Sequence, residues 1–217
     1  MELHIPTPQK KDYRQDEQVL KEWVEVIYPA IVKQAEEENA DIWWLDEVGA
    51  RNASNYIKGY APRGETPVLP VASAHIGVNM ISSITNTGGL RYDFYRGKFS
   101  GDIYMGFLTR LINTTDRKVF AIVDNSSTHR SLRVQEWKEK QTNYITIFNL
   151  PTYAPHLNPV EYLNNNLKRE LLKQGYSVKE DEVEAKARKI MRSFLMKKGR
   201  VASFFDNEHV IYAKSQE

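Results

Sequence analysis

Residues 118–125 read KVFAIVDN. Val119, Ala121 and Val123 alternate with Phe120 and Ile122, so a strand here is apolar on both faces. Such a strand belongs in the middle of a sheet covered on both sides. The run stops at Asp124, and an acid at the tip of a buried strand is costly unless something offsets its charge. Downstream, HRSLRVQEWKEKQ (129–141) reads as a helix and YITIFNL (144–150) as another strand. A strand, helix and strand in this order imply a parallel pair joined by a right-handed crossover. Upstream, DIWWLDE (41–47) repeats the pattern. Ile42 and Trp44 point to one side, Trp43 and Leu45 to the other, and this strand is expected to end at Asp46. Sites in α/β sheets lie outside the carboxyl ends of strands, so parallel neighbours would set Asp46 and Asp124 side by side.

The remaining elements follow from periodicity. DEQVLKEWVEVIYPAIVKQAEEEN (16–39) has apolar residues at helical spacing, namely Val19, Leu20, Trp23, Val26, Ile27, Ile31 and Ala35. Pro29 is expected to divide it into two helices. NASNYIKGYAPRGETPVLPV (52–71) reads as a short strand and a turn-rich loop. SAHIGVNMISSIT (73–85) and LRYDFYRGKF (90–99), separated by NTGG, read as a hairpin. Ser100 caps a helix over 101–112 with Tyr104, Phe107, Leu108 and Leu111 inward. NPVEYLNNNLKRELLKQG (158–175) is a helix with Asn158 as cap, Pro159 first and Gly175 past its end. A last amphipathic helix within 179–198 rests on Val183, Ala187, Ile190, Phe194 and Leu195. The order predicts an α/β domain with a mixed sheet, since the early hairpin is antiparallel.

Composition narrows the function classes. The 217 residues are 41% hydrophobic, which suffices for one sizeable core. The polar N-terminus is no signal peptide, and no apolar run is long enough to span a membrane. The absence of cysteine excludes disulfides, thiol catalysis and thiolate-bound zinc. Net charge is only +2, but it is unevenly spread. Residues 1–50 hold 12 acids and 5 Lys/Arg (−7), whereas residues 162–200 hold 11 Lys/Arg and 5 acids (+6). A basic C-terminal surface suits a polyanionic partner, and two solvated helix faces account for the same counts.

Glu161 is the third acid. On its helix Val160, Leu163, Leu167 and Leu171 form the apolar stripe, while Glu161, Asn165 and Lys168 form an adjoining polar one. A helix packed by its leucines would aim Glu161 at the strand tips. Three carboxylates with no nitrogen or sulfur donor suit Mg²⁺ or Mn²⁺. Taken singly, each acid has a simpler role: Asp46 and Asp124 as turn or cap residues, and Glu161 as a partner of the helix dipole.

The blocks WWLDEVGAR (43–51), AIVDNSSTH (121–129) and LPTYAPHLNPVEYLNNNLKREL (150–171) together resemble the three catalytic blocks of a DDE transposase. The resemblance is to the Tc/mariner superfamily in its bacterial insertion-sequence branch, and it is carried chiefly by YAPHLNPVE. It implies a ribonuclease H-like fold, a mixed five-stranded sheet of order 3-2-1-4-5 flanked by helices. The catalytic domain would occupy residues 41–217, with residues 1–40 as a linker and helices packed on it. It also implies that Asp46, Asp124 and Glu161 are catalytic and bind two Mg²⁺ or Mn²⁺ ions for DNA cleavage and strand transfer.

The implied partners are transposon ends and target DNA, met by a homodimer in the bacterial cytoplasm at the nucleoid, away from membranes. Lys168, Arg169 and His129 are the expected phosphate contacts. His129 equally suits a surface position opening a helix, and His156 reads as structural. PTPQKKDYRQD (6–16) resembles the linker that follows the family's helix-turn-helix, so the expectation is a catalytic domain without that DNA-reading region. A domesticated, non-catalytic DNA-binding or assembly module, or another ribonuclease H-like nuclease, would share these features.

Overall fold

The computed structural model describes residues 14–51, 62, 64, 76–126, 128, 131–175, 177 and 179–214. The short strand expected within 52–71 falls almost wholly outside them, as do His75 and His129. Five strands form one sheet: β1 (Ala40–Arg51), β2 (Gly77–Ile84), β3 (Leu90–Tyr95), β4 (Lys118–Val123) and β5 (Ile145–Asn149), in the order β3-β2-β1-β4-β5. The hairpin β2–β3 and the pair β1–β2 are antiparallel, while β1–β4 and β4–β5 are parallel. This is the mixed sheet of order 3-2-1-4-5 that the resemblance implies. In the β2–β3 turn Gly88 has φ +89°, and a Cβ there would meet the Lys198 carbonyl at 2.4 Å. Glycine therefore serves both the turn and the close approach.

Each face of the sheet carries its own core. Helices α3 (Gly101–Asn113) and α4 (Leu132–Lys140) cover Trp43, Leu45, Val119, Ala121 and Val123. Ser100 caps α3 as expected, accepting from the Ile103 amide, and Tyr104, Phe107, Leu108 and Leu111 are all buried. The other face, with Trp44, Phe120 and Ile122, lies under the N-terminal helices and α5 (Val160–Lys173), α6 (Glu180–Leu195) and α7 (Lys198–Ala202). Alternation along β1 and β4 assigns Asp46 and Asp124 to this second face, with α5.

Three expectations are corrected. First, Pro29 stands in the first turn of a second α-helix, as expected, but the chain stays helical between the two: α1 (Glu17–Glu22) runs through a π-helical turn (Trp23–Ile27) into α2 (Tyr28–Glu37). The Tyr28 amide bonds the Trp23 carbonyl five residues back. A wide turn just ahead of the proline relieves the clash of its ring with the preceding turn. It also adds a residue to the turn, so Tyr28 rather than Ile27 follows Trp23 into the core, and Val19, Val26 and Ile27 stay exposed. Second, Leu195 is exposed, and Met191 fills the α6 stripe instead. Third, β1 does not end at Asp46. It continues to Arg51 along β2, and only its pairing with β4 stops, at Trp44 opposite Ile122.

Candidate active site

The stop in β1–β4 pairing makes the site. Asp46 and Asp124 each lie two residues beyond the last paired residues, Trp44 and Ile122, where the two parallel strands diverge. Asp124 is exposed, and its Oδ1 accepts from the Ser126 amide at 3.2 Å, which turns the chain away from the sheet. Glu161 enters from the first turn of α5. That turn is fixed by Asn158, which is buried: its Nδ2 donates to the Leu45 carbonyl at 2.9 Å, and its Oδ1 accepts from the Val160 amide at 3.1 Å. One side chain thus caps the helix, as expected, and ties it to the strand residue beside Asp46.

Asp46, Asp124 and Glu161 line one open cleft of about 380 Å³, whose far wall is the 150–155 loop. Desolvation, followed by the Glu161 charge, holds the Asp46 carboxyl well above the usual carboxylate range. Desolvation also raises Glu161, with Asp124 adding to the effect and Lys168 opposing it. The three acids therefore feel one another, a cluster that a divalent cation would relieve. The donor set is all oxygen, which fits Mg²⁺ or Mn²⁺. As placed, no three acidic or imidazole side chains among the described residues are close enough to ligate one ion. Binding an ion requires these side chains to draw together.

The match that decides the family covers residues 41–201, which fit the DDE superfamily endonuclease model. The chain belongs to the DDE superfamily endonucleases. No curated protein matches its sequence significantly. Among solved structures this DDE endonuclease is similar to a pre-cleavage Mos1 transpososome, with a TM-score of 0.65 at 14% identity over 100% of this chain and 69% of the other. It is also similar to the Mos1 mariner paired-end complex with Mn (TM-score 0.64, 12% identity, 99% and 68% covered). The isolated catalytic domain of Mos1 mariner transposase gives a TM-score of 0.60 at 13% identity, covering 97% of this chain and all of that one. At such identities the likeness establishes the fold, which is ribonuclease H-like.

Around the acids of this endonuclease domain, the structure adds residues that periodicity did not single out. Asn164, not Asn165, faces the acids: it is buried, and its Nδ2 donates to Asp46 Oδ2 at 2.9 Å, while Asn165 is exposed. The available signal was an amide interrupting the apolar stripe between Val160 and Leu167. Tyr153, on the cleft wall, has φ +62°, with the Arg14 guanidinium 3.8 Å from its ring centroid and Gln15 Nε2 donating to its carbonyl at 2.6 Å. Lys168 is half-buried and acts on Glu161, whereas exposed Arg169 turns along its own helix to Asn166 Oδ1 at 2.6 Å. His156 packs edge-to-face on His209 with ring centroids 5.7 Å apart, and burial lowers its pKa. Among the described residues no helix is long and apolar enough to cross a membrane.

Proposed function

We propose that this chain is the catalytic domain of a DNA transposase of the Tc/mariner superfamily, in its bacterial insertion-sequence branch. It cleaves DNA and transfers strands, with transposon ends and target DNA as substrates and a homodimer as the working unit at the nucleoid in the cytoplasm. The observation that carries this reading is the convergence of Asp46, Asp124 and Glu161 on one cleft of a DDE endonuclease fold. Further support comes from the similar Mos1 structures, among them paired-end complexes with Mn, with Mg and with the left transposon end.

In this reading the three carboxylates hold two Mg²⁺ or Mn²⁺ ions. When bound, such ions lower the pKa of an attacking water or 3′-hydroxyl and stabilise the leaving 3′-oxygen during in-line displacement at phosphorus. The protein's own part is to place charge. Asp46 presents a carboxylate whose two oxygens are already held, by the Glu47 amide at 2.8 Å and by Asn164. Asp124 and Glu161 close on it from the β4 tip and from α5. Lys168 offsets some of the repulsion at Glu161, and with Arg169 and His129 it contacts phosphates, which positions DNA without reading bases. The open cleft leaves room for a backbone to reach all three acids.

The test is nicking of supercoiled plasmid by the purified chain with Mn²⁺. Asp124→Ala should abolish it while leaving the melting temperature within a few degrees. Near-normal nicking by that variant would remove the acids from the mechanism.

A further inference from the structure

We propose that Asn164 is a positioning residue for the Asp46 carboxylate, which orients that carboxylate for the divalent ion. The inference rests on the metal reading above and names a residue outside the acid triad.

Asn164 sits where folding alone would favour a leucine. It lies between Val160 and Leu167 on the buried stripe of α5 and is 1% exposed. An amide in such a place is costly unless both its ends are paired. Here one end is paired: Nδ2 donates to Asp46 Oδ2, and Oδ1 has no hydrogen-bond partner. An apolar residue of similar size would remove the orphaned acceptor and extend the stripe. What it would forfeit is the bond to Asp46.

That bond completes a clamp. Asp46 Oδ1 accepts from the Glu47 amide, which the strand fixes, and Oδ2 accepts from Asn164, which helix burial fixes. Each carboxylate oxygen has two acceptor directions, so one on each oxygen is used and one remains. The plane of the carboxylate is therefore set before any ion arrives, and Asp46 lines the cleft. A neutral donor does this without bringing a positive charge that would compete with a cation. Groups that orient metal-binding carboxylates typically contribute ~10–100-fold to metal affinity.

The experiment is a Mn²⁺ titration followed by melting temperature and by calorimetry, on wild type, Asn164→Leu, Asn164→Ala and Asn165→Ala. With chelator present, Asn164→Leu should melt close to wild type, because removal of the orphaned oxygen offsets the lost bond to Asp46 Oδ2. Its Mn²⁺ affinity should fall about tenfold or more, and Asn165→Ala should bind like wild type. A purely structural role would lower the chelated melting temperature and leave the affinity alone. Wild-type affinity in both Asn164 variants overturns the inference, as does an equal loss in Asn165→Ala. If Asn164→Leu does not fold, Asn164→Ala decides by the same comparison. A wild-type chain with no Mn²⁺ response overturns the metal reading and this inference with it. A normal wild-type response with unchanged variants overturns the inference alone.

Discussion

At Asp46, burial and the neighbouring carboxylates act in the same direction, and both disfavour the ionised form. Glu161 is raised for the same leading reason. Carboxyls raised by folding bind more protons in the native state than in the unfolded chain, so their contribution falls with rising pH. The loss begins near the unfolded carboxylate value of ~4 and continues through the raised folded values. In chelator, wild type should therefore lose stability relative to Asp46→Asn as pH rises from 4 to 8. An asparagine at 46 keeps its acceptor for the Glu47 amide, and its amide donates to Asn164 Oδ1 once Asn164 turns over. At neutral pH the variant should gain about 1 kcal/mol, or ~2–4 °C in melting temperature for a chain of this size. Parallel pH profiles for the two proteins would contradict the charge cluster.

At the scale of the element, α5 reaches the site through the residue that starts it. Asn158 joins the Leu45 carbonyl to the Val160 amide, so the asparagine and proline before Glu161 act as a hinge pin between strand and helix. Asn158→Ala would leave a buried carbonyl and a helix-end amide unpaired, costing ~2–6 kcal/mol at ~1–3 per group. It should also weaken Mn²⁺ binding, because the turn carrying Glu161 loses its tie to the strand carrying Asp46. Chemical denaturation and a metal titration on one sample measure both effects. Loss of stability with unchanged metal affinity would show that the helix holds its position by its leucines alone.

For the molecule as a whole, residues after the family match complete the core. Phe205, Val210 and Ala213 are fully buried. Phe205 and Tyr212 ring Trp44, with centroids at 6.5 and 6.0 Å, and Tyr212 also meets Tyr28 at 5.1 Å. Tyr212 accepts from Trp23 Nε1 and donates to the Leu157 carbonyl, linking the N-terminal helix to the loop before α5. Phe205→Ala should cost ~3–5 kcal/mol, read as a lower urea midpoint. An unchanged midpoint would mean that the C-terminal segment is not part of the cooperative unit. Part of the positive charge of residues 162–200 is engaged within the protein. Lys173 pairs with Glu170, Arg188 with Glu184, Lys186 caps the Gln174 and Gly175 carbonyls, and Arg200 covers Phe194. The raw surplus of positive charge therefore overstates what faces a DNA backbone.

By itself the sequence marked the strands and, through the resemblance, the sheet order and three candidate acids. Runs such as FAIV and IWWL, short, rich in β-branched and aromatic residues and apolar on both faces, read as central strands, and LNPVE combines a cap, a fixed first turn and an acid within five residues. These are local signals, written in the period of the chain. What the tertiary structure alone decided depends on neighbours distant in sequence. Where β1 stops pairing with β4, and so where Asp46 becomes free to meet Asp124, is set by register between strands, while β1 itself runs on beside β2. That the π-turn hands the core from Ile27 to Tyr28 depends on how a proline-bearing helix meets Trp44 and Tyr212. That Asn164 and not Asn165 reaches Asp46 follows from the rotation of α5, fixed by its packing on β1, β2 and α6. Periodicity gives a helix its faces, but only contact decides which polar residue lies under an acid.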